Sequence, residues 1–193
     1  ARFTVLTPGL IRMEWSPDAK FEDRASQVVI NRKLPVPKFE QSVENDQLSV
    51  RGDRFEITYD TTAGRFNEFN LKVRCRVGEG DRWIEQHPPF EPRSNLGGTV
   101  RTLDGVSGAC SLPAGLLSRD GWTLLDDSKT LLFDKSDWPW AAPRDREESL
   151  DWYLFVYGSD YPAALADYTK IAGRIPLPPR YVFGTWWSRY WAY

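Results

Sequence analysis

Histidine occurs once in the 193 residues and cysteine twice. A lone histidine rules out multi-histidine metal sites, and His87 sits in EQHPPF beside two prolines, with no second histidine and no partner at ligand spacing. It therefore reads as a loop residue rather than a general base or metal ligand. Cys75 and Cys110 are too few for a disulfide framework or a thiolate metal site, so they read as two separate thiols. No run approaches the roughly 18 apolar residues of a membrane span. The opening ARFTVLTPGL lacks the basic and apolar pattern of a leader. There is no Asn-x-Ser/Thr sequon, which makes a cytoplasmic location the default expectation. A net charge of −2 gives no footprint for nucleic acid or an anionic membrane.

What is abundant is aromatic: nine tryptophans, eight tyrosines and ten phenylalanines. Flat rings suit the C–H faces of sugars as well as they suit cores, so the enrichment points toward carbohydrate without establishing it. A hydrophobic fraction of 41% and a charged fraction of 27% belong to a globular chain, long enough for one domain or for one domain and part of another.

Most of the first 157 residues pattern as short strands. FTVL and LIRMEW flank the turn Thr7-Pro8-Gly9. In RFEITYD the residues Phe55, Ile57 and Tyr59 share a face, and in LKVRCRV so do Leu71, Val73, Cys75 and Val77. That alternation belongs to half-buried antiparallel strands. WTLLDDSKTLLFD reads as two strands around the turn formed by residues 126–129, and DWYLFVYG as a strand apolar on both faces, as expected near the middle of a sandwich. The expectation is two packed antiparallel sheets.

The pattern changes after Gly158. SDYPAALADYTKIAGR predicts one helix, with an Asp or Ser cap, an early proline, apolar positions Leu165, Tyr168 and Ile171, and Gly173 at its end. IPLPP is a stiff connector, and RYVFGTWW after it reads as a new strand. The division expected is residues 1–158, residues 159–179 as helix and connector, and residues 180–193 as the start of a second domain. FGTWWSRYWAY carries six aromatic side chains in eleven positions, which need covering, either by this chain or by polypeptide that follows it.

No stretch offers a convincing catalytic pair. Asp126 and Asp127 are adjacent and read as a hairpin turn, whereas Asp134, Asp137, Asp145, Glu147 and Glu148 lie in a polar, proline-bearing stretch that reads as a solvated loop. The glycines of NLGGTVRTLDG and VGEG lack phosphate-loop spacing and read as turns. LLSRDGW is open to two readings: an Asp-Gly turn leading Trp122 into the core, or a loop tip offering Asp120, Arg119 and Trp122 to a sugar. Arg189 among aromatic rings either stacks on them, pairs with a carboxylate, or contacts substrate at a barrel strand end.

Four segments in order, NLGGTVRTLDG, GLLSRDGWTLLDDS, YGSDYPAALADYTKIAGRIPLPPRYVFG and GTWWSRYWAY, resemble the amino-terminal region of family 31 glycoside hydrolases, the α-glucosidase and α-xylosidase family. FTVLTPGLIRMEWSPDAKFEDRASQVVINRKLPVP resembles the opening strands of that region, so the likeness covers nearly the whole chain. It implies a mainly β fold: an antiparallel, galactose-mutarotase-like β-sandwich with one helix, then the first strand of a truncated (β/α)8 barrel.

In that family two aspartates on later barrel strands cleave α-glycosidic bonds with retention, which needs carboxyl groups about 5 to 5.5 Å apart. By the resemblance they lie downstream of Tyr193, so no catalytic residue is assigned here and no metal or organic cofactor is implied. The implied partners are an α-linked oligosaccharide or glycoside and the remaining barrel. Residues 95–104 or 118–122 would be the loop reaching toward the substrate pocket, with Asp120 and Trp122 as candidate contacts. Trp187, Arg189 and Tyr190 would stand at the end of the first barrel strand. The alternative, from a different class, is a stand-alone carbohydrate-binding sandwich.

Overall fold

The structure is a computed structural model that describes residues 1–78, 82–99 and 105–184. The chain begins with the antiparallel pair β1 (Arg2–Thr7) and β2 (Leu10–Trp15), joined by Pro8 and Gly9. A side chain at position 9 would come within 2.7 Å of the Val156 carbonyl, so this turn is built tight against a neighbouring strand. β3 (Glu40–Glu44) and β4 (Gln47–Arg51) are joined by Asn45 and Asp46, both at positive φ, the geometry two-residue hairpins favour. β5 (Phe55–Asp60), β6 (Leu71–Arg76) and β7 (Trp83–Gln86) complete a five-stranded antiparallel sheet in chain order.

β8 (Trp122–Asp126) does not pair with β9 (Leu132–Phe133). It joins β11 (Leu150–Val156) in a four-stranded antiparallel sheet of order β1-β2-β11-β8, while β9 pairs with β10 (Ala141–Ala142). The hairpin expected around residues 126–129 is thus absent: its turn residue Asp127 is fully buried and tied to Arg144 and Arg32. β11 lies inside its sheet between β2 and β8, and residues on both of its faces are buried.

The alternation seen in sequence decides the core. Phe55, Ile57 and Tyr59 of β5 and Leu71, Val73 and Cys75 of β6 meet Val5, Ile11, Met13, Leu154 and Val156 of the other sheet in one hydrophobic cluster. Ring contacts bridge the sheets, with Phe3 and Tyr59 centroids 5.6 Å apart and Phe66 and Trp152 also 5.6 Å apart. Both cysteines are free thiols, Cys75 in this cluster and Cys110 at the surface.

On its other face the four-stranded sheet carries α1 (Tyr161–Ala172). Asp160 caps this helix by accepting from the Ala163 amide, proline sits in the first turn, and Gly173 follows at positive φ. Its inward residues are Ala164, Asp167 and Ile171, with Tyr168 alongside, whereas Leu165 is 46% exposed. The face differs by one position from the expected one because Asp167 turns inward to the Tyr157 hydroxyl, which also contacts Thr7.

The connector after α1 is exposed, as its prolines predict. Arg180–Phe183, expected to open a strand, form a short 3-10 turn, and no strand pairs with them among the described residues. The rest of the expected barrel strand lies outside the described residues. No helix among the described residues is long and apolar enough to cross a membrane.

Candidate functional site

Of the two segments proposed from sequence as alternative substrate-facing loops, residues 100–104 lie outside the described residues, and the beginnings of both, at 95–98 and 118–119, belong to one paired structure. Residues 94–98 run antiparallel to residues 113–119: the Leu96 amide donates to the Leu117 carbonyl, the Gly98 amide to the Pro113 carbonyl, and the Arg119 amide to the Ser94 carbonyl. An isolated bridge joins Asn95 and Ser118. The Asn95 side chain clasps the pair, with Oδ1 accepting from the Gly97 and Gly115 amides and Nδ2 donating to the Gly115 carbonyl. At Gly115 a Cβ would lie 2.1 Å from the Gly97 carbonyl oxygen, so glycine lets the two backbones touch. We call this pair the arm.

Asp120 fastens its base. The carboxylate accepts from the Ser94 amide at 2.8 Å and from the Ser118 hydroxyl at 3.1 Å, and these bonds hold it below the usual carboxylate range. A carboxylate held ionised and already engaged is suited to fixing a loop rather than to donating a proton. Trp122 is 3% exposed and packs edge-to-face on Phe90, so its ring belongs to the core and presents no face to a ligand. Arg119 is exposed, and its guanidinium meets no partner among the described residues. Leu96 on the arm and Leu112, next to its residue 113, are exposed. The substrate contacts expected at Trp187, Arg189 and Tyr190 lie outside the described residues.

Toward the other end of β11, around Asp151, stands a cluster that sequence reasoning missed. Arg12, 2% exposed, donates from Nε and Nη2 to the Asp151 carboxylate at 2.7 and 2.8 Å and contacts Glu14 at 3.0 Å. Arg144 bridges Asp127 at 2.9 Å and Asp151 at 3.2 Å, although its neighbours Asp145, Glu147 and Glu148 are exposed as expected. Arg2 binds Glu14 and Asp23, and Arg32 reaches the Tyr153 hydroxyl and Asp127. Burial pushes the carboxyls of both Glu14 and Asp127 upward.

These acids stand close together, yet each is occupied by a guanidinium, and the cavity beside them holds only about 20 Å³. That is room for a water and not for a sugar. What the cluster does is tie the irregular segments 16–33 and 126–149 onto the sheet, through Arg12 to the Glu22 carbonyl and Arg24 to Asp145. The available signal was an arginine and an aspartate on the second face of strands whose first face is core. Their partners are 139 residues apart and could not be matched locally.

Among the described residues no group of histidine, cysteine, aspartate and glutamate is arranged to hold a metal ion. Compared with known proteins, the chain matches no protein-family model and no curated protein.

Proposed function

We propose that this chain is the non-catalytic amino-terminal β-sandwich of a retaining α-glycosidase of the family 31 type, acting in carbohydrate breakdown. In this reading the two sheets buttress a (β/α)8 barrel and the arm borders its substrate pocket. The observation that carries the reading is the arm. NLGG and GLLSRDG, parts of two of the segments on which the resemblance rests, begin 20 residues apart and hydrogen-bond to each other as one element. The exposed apolar side chains that follow α1 also favour it: Ile175, Leu177, Tyr181 and Phe183 are 73–92% exposed and call for a covering surface.

The arm's chemistry suits a pocket rim. Arg119 supplies donors for hydroxyls, Leu96 and Leu112 supply apolar contact, and Asp120 keeps the base rigid. The catalytic carboxylates of the reading belong to the barrel.

Two measurements test it. The 193-residue chain, incubated with 4-nitrophenyl α-glucoside and the matching xyloside, releases no nitrophenol; turnover that follows the purified chain overturns the proposal. In an enzyme carrying this region, Arg119→Ala raises KM with little change in kcat, as expected for a rim contact made equally in ground and transition states. An unchanged KM removes the arm from the pocket.

A further inference from the structure

At the opposite end of β11 from the arm lies an open groove of about 620 Å³. Trp152 and Leu150 line it from β11, Pro88 and Pro89 from the segment after β7, and residues 65–69 from the loop between β5 and β6. Phe69 on that loop is 90% exposed, the most exposed aromatic side chain among the described residues. The loop holding it is braced. Asn67 Oδ1 accepts from the Phe69 amide at 2.8 Å, Asn70 Oδ1 accepts from the Asn67 amide at 2.8 Å, and Asn70 Nδ2 donates to the Arg65 carbonyl at 2.8 Å. The Tyr59 hydroxyl donates to the Gly64 carbonyl from below. These bonds fix the backbone that carries Phe69, so the loop's share of the ordering cost is already met by the fold, which favours a ligand that stacks on the ring.

The polar lining narrows the ligand. Arg65 and Glu68 are exposed, flank the groove, and have side chains with no partner among the described residues. Their charges cancel, so the groove has no net attraction for a phosphate, a nucleotide or an acidic peptide. They still offer five N–H donors and a carboxylate acceptor to hydroxyl groups. Ring and proline faces beside balanced donors and acceptors match a pyranose, which has apolar C–H faces and an equatorial rim of hydroxyls.

We propose that this groove binds a neutral oligosaccharide, with one pyranose stacked on Phe69 against the Trp152 and proline wall and its hydroxyls bonded to Arg65 and Glu68. The site is separate from the arm. It rests on the glycosidase reading only for the choice of an α-glucan as first probe.

The intact chain is titrated with maltoheptaose, isomaltotriose and cellohexaose, followed by tryptophan fluorescence and calorimetry. Saturable binding of at least one is expected, weakened about tenfold by Phe69→Ala and severalfold by Arg65→Ala or Glu68→Ala. Phe69 is 90% exposed, so its truncation leaves the thermal midpoint unchanged and isolates binding from folding. No saturable signal with any of the three sugars overturns the proposal, as does binding that Phe69→Ala leaves intact. Sedimentation showing a dimer that Phe69→Ala abolishes would assign the groove to a second copy instead. Nitrophenol release by the chain would overturn the non-catalytic reading without touching this site, and loss of sugar binding would leave that reading standing.

Discussion

β11 sends Leu150, Trp152, Leu154 and Val156 into the cluster shared by the two sheets, and Asp151, Tyr153 and Phe155 to the opposite face. Both faces are buried, by different means. The first is filled with apolar and aromatic side chains whose attraction has no preferred direction. The second, at the end away from α1, is filled with guanidinium and carboxylate groups that are useful only when each meets its partner at a set distance and angle. Apolar packing holds sheet to sheet, and directed ion pairs hold irregular loops to the sheet. Segments 16–33 and 126–149 contain almost no regular ladder, and the arginines supply the fixed points that backbone pairing does not.

The comparison breaks most sharply at Arg12. Arg12→Ala takes from Asp151 its two-bond partner, leaving only Arg144 at 3.2 Å, leaves Glu14 to Arg2 alone, and is expected to cost about 3–4 kcal/mol in urea denaturation. A cost near that of a surface substitution would mean the charged face contributes no organised burial. Leu154→Ala, on the other face of the same sheet, is expected to cost about 3 kcal/mol through the cavity it leaves. Hydrogen exchange separates the two: the arginine variant loses protection first in segments 16–33 and 126–149, and the leucine variant loses it across the strands together.

Smaller effects sharpen the contrast. Asn95→Ala removes the clasp of the arm and is expected to cost about 1 kcal/mol locally, read as faster exchange of the Leu96 and Gly98 amides with little change in the global midpoint. Acid sensitivity gives the finest distinction. Bonds from Arg24 pull the Glu22 carboxyl down to about 2, so its contribution is present above the ordinary 4.5 and is lost as pH falls toward 2. Glu14 and Asp127 act in the opposite sense: burial raises them, so what their protonated forms contribute is lost as pH rises through their folded values. Glu22→Gln should therefore flatten the fall in stability between pH 4.5 and 2, measured by thermal melts, and leave the profile above that range unaltered.

The legible parts of the fold are those written within a few residues. Alternation placed β5 and β6, and α1 was marked at both ends, by Asp160 with Pro162 and by Gly173. The parts that failed depend on distant partners. Asp126-Asp127-Ser128-Lys129 has good turn chemistry, yet Asp127 is drawn inward by Arg144 and by Ser26, which lies 101 residues earlier. The same reason hid Arg12 and Asp151, and shifted the inner face of α1 from Leu165 to Ala164 and Asp167. Of the candidate site, the glycines and the Asp-Gly step were visible as turns, but not that the two loops share hydrogen bonds.

Where the arm rejoins the sheet, three glycines meet. Gly121 at the base of the arm has φ +82, and a Cβ there would lie 2.8 Å from Val77 and 3.1 Å from the Cα of Gly158; one on Gly158 would lie 3.4 Å from the Gly78 amide nitrogen. The Gly121 carbonyl accepts from the Tyr157 and Gly158 amides. Substitutions elsewhere in a core can be absorbed when a neighbour changes size in return. Here the nearest atoms are the Cβ and Cγ1 of Val77, of which only glycine would remove the first, and the next is backbone, which has no size to give up; the conformation itself also resists a side chain. This vertex is therefore closed to compensatory change, and sequence drift in the arm must proceed around it.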